Sequence, residues 1–150
     1  MKKSQVIKFA KKLNSTNLSA LRSGNISIIA KERGIKGFYI TPSGKKYSSL
    51  KTKDIVFVSL KGKFDRKKGK PSSEWRFHQK IYVNKKNARA IVHAHSTCAT
   101  AVSSHQKSIP AFHYMVAVAG GEDIKCSKYA TFGTKNLSTN IIKALKNRTA

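Results

Sequence analysis

Val6, Phe9, Ala10, Leu13, Leu18 and Leu21 recur at roughly helical spacing. They predict an N-terminal helix over residues 2–21, which Asn14-Ser15-Thr16-Asn17 is placed to interrupt. After the turn at Ser23-Gly24-Asn25 the period shortens. Ile26 to Ala30 reads as a strand, Gly34 to Gly37 as a hairpin turn, and Phe38 to Thr41 as its partner strand. Pro42-Ser43-Gly44 marks a loop, Ile55 to Leu60 a further strand, and residues 61–71 a polar, basic loop. Ser72 or Ser73 can cap a helix running to about Val83, with Trp75, His78, Ile81 and Tyr82 on one face. Ala90 to His95 reads as a buried strand, and Ser96 can cap a helix over 97–104. Pro110 to His113 breaks the pattern, Met115 to Ala119 is apolar, and Gly120-Gly121 closes it. A last helix starts at Asn136 or Ser138, with Leu137, Ile141, Ile142 and Leu145 along one side. An antiparallel run of strands that then mixes with helices predicts an α/β sandwich with a mostly antiparallel sheet.

Length and composition narrow the classes. The 150 residues fit one domain over 1–150, and 39% apolar residues suffice for a core. No run reaches the roughly 18 apolar residues of a membrane span, and the basic first 20 residues lack the apolar centre of a secretory signal. Cys98 and Cys126 have no disulfide-like spacing, so a reducing cytoplasm is the simplest compartment. The net charge of +25 comes from 31 Lys and Arg against six Asp and Glu. Lysines are scattered singly and in pairs, with no arginine-rich arm and no aromatic RNA-binding motif. The charge therefore reads as diffuse. It argues against nucleic-acid recognition beyond nonspecific attraction, and it suits phosphorylated substrates.

The candidate chemistry is concentrated. On a strand, alternate side chains share a face, so His93 and His95 project together, as two ligands of one zinc ion would. An open catalytic zinc site needs three protein ligands, and spacing supplies two. Cys98 is nearby, but it reads more simply as a small helix residue. Glu74 alone is a first-turn glutamate favoured by the helix dipole; beside a metal it could act as a general base. Three polar turns, at residues 24–27, 41–44 and 71–73, carry the hydroxyls, amide and backbone N–H groups of a phosphate cradle, though spacing does not bring them together.

GNIS (24–27), ITPSG (40–44), KPSSEWRFH (70–78), IVHAHS (91–96), IPAFHYM (109–115), AGG (119–121) and YATFGT (129–134), followed by LS (137–138) and ALKNR (144–148), carry a resemblance over residues 24–150. The chain resembles the class II aldolases of the fuculose-1-phosphate aldolase and ribulose-5-phosphate 4-epimerase group. The glutamate of SSEW is closer to the aldolase, since the similar epimerases tend to carry aspartate there. The resemblance implies a three-layer α/β sandwich with a central, mostly antiparallel sheet flanked by helices. It implies cleavage of a sugar 1-phosphate, such as fuculose 1-phosphate, to dihydroxyacetone phosphate and an aldehyde. His93 and His95 would bind zinc. Asn25, Ser43, Gly44, Ser72 and Ser73 would hold the phosphate, and Glu74 would shuttle a proton at the reacting carbon. Tyr114 would handle the proton on the aldehyde oxygen, reaching in from a neighbouring subunit of a homotetramer, with Phe132 lining the same cleft.

The resemblance also sets an expectation of incompleteness. Members of the group continue past the position of Ala150 into a strand whose His-Gly supplies a third zinc histidine. A chain without it is expected to bind zinc poorly and to have little lyase activity, unless a partner chain completes the site. A pentose-phosphate 4-epimerase, a methylthioribulose-phosphate dehydratase and a non-catalytic interaction module stand as alternatives on the same fold.

Overall fold

The computed structural model describes residues 1–19 and 23–150. Leu21, placed on the first helix by its spacing, lies outside them. Helix α1 (Lys2–Ser15) buries Val6, Ala10 and Leu13, a stripe at i, i+4 and i+7. Phe9 falls off that stripe and is 46% exposed. The helix stops earlier than residue 21 because Ser15 Oγ and Thr16 Oγ1 both turn back onto the Lys12 carbonyl, and Asn17 takes a left-handed φ of 56°.

Strands β1 (Asn25–Glu32), β2 (Ile35–Ile40), β3 (Val56–Ser59) and β4 (Ala90–His93) form one antiparallel sheet in the order β3-β2-β1-β4. The hairpin turn is Arg33-Gly34, both at positive φ, so it comes earlier than the Gly34–Gly37 spacing predicts. Two left-handed residues match the right-handed twist of the flanking strands. β4 is an edge strand rather than the buried one expected: Val92 is 58% exposed on its open face.

The strand alternation sorts two cores. Ile26 packs with the α1 stripe and with Tyr47, Leu50 and Ile55. On the opposite face Phe38, Ile40, Val56 and Val58 pack with Tyr82 of α2 (Trp75–Asn84). Helix α5 (Lys135–Ala144) packs on α2, and its N-cap is Thr134, whose Oγ1 accepts from the Leu137 N–H. The result is the expected three-layer sandwich. Two short helices, α3 (Thr97–Ser104) and α4 (Met115–Val118), lie between β4 and α5 in sequence. Among the described residues no helix is long and apolar enough to cross a membrane.

One polar residue in β1 faces the second core. Ser27 is fully buried, with Oγ 2.7 Å from His78 Nδ1 and 2.9 Å from the Tyr82 hydroxyl. His78 is fully buried too, stacked on Phe77 at 4.5 Å between ring centroids. Burial, helped by the charge of His93 and opposed by that of Glu74, pushes the His78 pKa from 6.5 down to about 3. Below pH 6.5 the unfolded chain takes up a proton here that the folded chain refuses until about pH 3. The unfolded state binds more protons across that window, so stability falls as pH drops through it, by at most about 1.4 kcal/mol per pH unit from this group. Urea unfolding at intervals across the window is expected to show a shallower pH slope for His78→Gln than for the native chain.

The entry to β1 is tight. Gly24 has φ of 76°, and a Cβ there would lie 2.5 Å from Ser19 Oγ and 2.6 Å from the His93 carbonyl oxygen. Its own carbonyl accepts from the Tyr47 hydroxyl at 2.6 Å. Gly24→Ala meets both the left-handed backbone and the clash. It is expected to cost more than about 1 kcal/mol, read as a lowered Tm without a change in the urea m-value.

Candidate active site

The β1–β4 register sets Asn25 directly opposite His93, the last residue of β4. The strand ends there, short of the residue 95 predicted by the pattern. His95 is still held alongside: its N–H donates to the Leu18 carbonyl at 2.8 Å and to Ser19 Oγ at 3.3 Å, and the two imidazole centroids are 4.6 Å apart. The two-residue spacing thus does bring His93 and His95 together. Phe77 meets the His93 ring edge-on at 5.3 Å.

Glu74 arrives from the other layer. Helix α2 begins at Trp75 with Glu74 in the N-cap position, so neither Ser72 nor Ser73 is the cap residue. Ser72 acts one step earlier: its carbonyl accepts from the Trp75 N–H at 3.1 Å, and its hydroxyl lies 3.4 Å from the Glu74 nitrogen. Glu74 Oε2 is 2.9 Å from His93 Nδ1 and accepts from Asn25 Nδ2, also at 2.9 Å, while Asn25 Nδ2 is 3.2 Å from His93 Nδ1. The carboxylate side chain is 16% exposed. Burial alone would raise its pKa. The hydrogen bond and charge of His93, the Asn25 amide and the charge of His95 outweigh that and hold it below the ordinary carboxylate range. Burial, reinforced by His93 and opposed by Glu74, pushes the His95 pKa down and favours the neutral ring that binds metals.

These donors suit zinc in kind, two imidazoles beside a carboxylate. They are not placed as a complete site. Among the described residues no group of three His, Cys, Asp or Glu could hold a metal ion. Cys98 is exposed on α3, in keeping with a small helix residue.

The three polar turns converge. Thr41 exchanges two hydrogen bonds with Ile26 at the start of β1: its N–H donates to the Ile26 carbonyl at 3.1 Å, and its Oγ1 accepts from the Ile26 N–H at 3.3 Å. Ser72 N–H donates to the Thr41 carbonyl at 2.9 Å, and Ser43 N–H to the Lys70 carbonyl at 3.0 Å. Residues 24–27, 41–44 and 70–73 therefore lie side by side, although 49 residues separate Asn25 from Glu74 in the chain. Gly44 and Ser73 are exposed, Ser43 is half-buried, and Asn25 and Ser72 are buried.

Glu74, His93 and His95 also line a groove of about 960 Å³ between α2, β4 and α5, whose apolar wall includes Ile91, Leu137 and Ile141. Tyr114 and Phe132 do not line that groove and are 76% and 70% exposed. The sequence reading placed His78 on the right helix face but gave it no part in the site. Its Nε2 lies against Asn25 Oδ1, so it touches the residue that touches Glu74. The only signal available was position: His78 follows Glu74 by one helical turn.

Comparison with known proteins gives the family and the fold. The chain is 44% identical over 146 residues to L-fuculose phosphate aldolase of Escherichia coli K12, covering 97% of the chain and 66% of that protein. It is 41% identical over 145 residues to 5-methylthioribulose-1-phosphate/5-deoxyribulose-1-phosphate aldolase of Rhodospirillum rubrum, covering 97% of the chain and 63% of that protein. The chain thus spans just under two thirds of the length of these relatives. A solved structure of L-fuculose 1-phosphate aldolase superposes with a TM-score of 0.90 at 39% identity, covering 98% of the chain and 68% of that structure. Residues 4–150 match the Class II Aldolase and Adducin N-terminal domain, and the chain belongs to that family.

Proposed function

We propose that this chain carries the catalytic core of a metal-dependent aldolase that splits a ketose 1-phosphate, such as fuculose 1-phosphate, into dihydroxyacetone phosphate and an aldehyde. One observation carries the reading: a half-buried carboxylate, Glu74, sits directly on the first of two paired histidines, beside three converging polar turns. The two similar aldolases are both named for phosphorylated ketoses, which supports the substrate class.

In this reading Ser43, Gly44, Ser72 and Ser73 bind the phosphate through hydroxyl and backbone N–H donors, whereas the Asn25 amide, expected among them, is buried and committed to Glu74 and His78. The excess of lysine draws the anion toward the protein. His93 and His95 would hold zinc, which when bound supplies Lewis-acid charge beside the oxygens of the reacting carbons. Glu74 moves the proton at the carbon next to the carbonyl. Its low pKa keeps it ionised at neutral pH, the state a base needs, and its neutral Asn25 partner leaves it free to accept. Tyr114 of a neighbouring copy would serve the aldehyde oxygen in a homotetramer; its exposure in its own chain supports a role toward another copy.

Fuculose 1-phosphate incubated with the zinc-supplemented protein is expected to release dihydroxyacetone phosphate only slowly, since two histidines hold zinc weakly, and the product is detected by enzymatic reduction. Glu74→Gln should lower turnover by about 10²–10⁴-fold with zinc content unchanged. Conversion to a 4-epimer without carbon–carbon cleavage, or no conversion at all, would defeat the reading.

Zinc binding is a separate expectation. With two imidazoles and no third ligand group among the described residues, the 150-residue chain should bind zinc weakly, and His93→Ala or His95→Ala should remove that binding. Elemental analysis after dialysis and a competitive chelator titration measure it. Retention of zinc by both variants would show that the ion sits elsewhere.

A further inference from the structure

We propose that His78 is the positioning residue that fixes which end of the Asn25 amide faces Glu74, and so holds the carboxylate in place beside His93. The inference rests on the reading above in one respect, that Glu74 is the proton-moving group; the geometry stands on its own.

The direction of every hydrogen bond follows from the far end. An ionised carboxylate only accepts, so Asn25 must present its NH₂ to Glu74 Oε2. Asn25 Oδ1 is then the end left for His78 Nε2, and that nitrogen must carry the proton. A neutral imidazole protonated at Nε2 has a bare Nδ1, which accepts from the Ser27 hydroxyl at 2.7 Å. Ser27 Oγ, having given its proton, accepts from the Tyr82 hydroxyl at 2.9 Å. The donors run one way: Tyr82 to Ser27 to His78 to Asn25 to Glu74.

The opposite tautomer breaks the chain at its most expensive point. A proton on His78 Nδ1 would leave Nε2 as an acceptor. The Asn25 amide would have to turn over to supply it with a donor, and its oxygen would then oppose the carboxylate. Packing fixes the plane of the ring, and a flip within that plane would set carbons against Ser27 and Asn25. His78 is held between Phe77 and Phe38, at centroid separations of 4.5 Å and 6.5 Å and interplanar angles of 26° and 19°. Its full burial keeps bulk water from either nitrogen. A core histidine retained only for packing would need none of this polarity, since Phe or Leu would fill the same volume.

Two substitutions separate the two arms of the ring. His78→Gln places an amide nitrogen as many bonds from Cα as Nε2 and keeps the donor to Asn25. His78→Asn places its amide at the distance of Nδ1, keeping a group toward Ser27 and losing the donor to Asn25. The expected result in the full chain is that the Asn25 side-chain amide protons, followed by proton–nitrogen NMR, stay slowly exchanging in the native protein and in His78→Gln but exchange freely in His78→Asn. In the aldol assay, kcat of His78→Asn should fall about 10–100-fold below that of His78→Gln, the range typical of residues that orient a ligand or catalytic group, with KM little changed. Equal behaviour of the two variants, or the reverse order, overturns the inference. Should either variant fail to fold, the ring nitrogens of native His78 decide: a proton on Nε2 and a bare Nδ1 support it, and a proton on Nδ1 overturns it. A native protein without aldol activity that still shows the NMR order upholds the positioning role and defeats the proposed function.

Discussion

The Asn25 side chain is the joint between the layer that carries the histidines and the layer that carries the acid. It is 3% exposed, and both ends of its amide are occupied, Oδ1 by His78 and Nδ2 by Glu74. A buried amide left half-paired costs on the order of 1–3 kcal/mol, so sheet and helix are held in the one relative placement that serves both ends. That placement also brings Glu74 to His93, because Asn25 and His93 are register partners in the sheet. The hairpin register, the Gly24 turn and the start of α2 all converge on this residue.

The economy of carboxylates gives Glu74 a further meaning. In a chain with net charge +25, most of the six acids meet cations or backbone donors. Asp54 pairs with Lys45 and accepts from the Lys51 N–H, Asp65 accepts from the Lys67 N–H, and Asp123 meets both Lys125 and Arg148. Glu32 accepts from the Tyr39 hydroxyl. Glu74 differs in its partners, an amide and an imidazole rather than an ammonium. A carboxylate locked to a lysine or arginine is a poor proton carrier, because the cation stabilises the ionised form against every proton it should take up. Dense positive charge elsewhere destabilises the fold by self-repulsion, yet no lysine or arginine is paired with this acid among the described residues.

Local patterns made most of the elements legible, and non-local pairings hid the rest. The α1 stripe of Val6, Ala10 and Leu13, the alternation in β2 and β3, and the shared side of His93 and His95 follow from the periods of helix and strand, which a chain shows before it folds. The polar turns were visible one by one. Their convergence depends on bonds between residues far apart in the chain, such as Ser72 to Thr41, which no spacing announces. The buried character assigned to β4 failed because apolar composition does not distinguish a central strand from an edge strand whose outer face carries Val92. His78 was hidden for a related reason. A histidine among Trp75, Ile81 and Tyr82 on one helix face reads as packing, and only the opposing Ser27 and Asn25 on β1 disclose two polar partners.

The two halves of the site differ in how firmly the protein holds them, and the difference matches the roles proposed for them. Asn25, His78, Ser27 and Tyr82 are buried and joined in an unbroken hydrogen-bond chain, so the acid end of the site has little freedom to reorganise. The proposed proton transfer would gain from that rigidity, since a fixed polar environment does not have to be rebuilt as charge moves. Ser43, Gly44 and Ser73 lie at or near the surface, in loops joined to each other by two backbone hydrogen bonds. An anion arriving from water can reach such donors without opening the core. Precision is thereby concentrated at Glu74, and accessibility at the turns beside it.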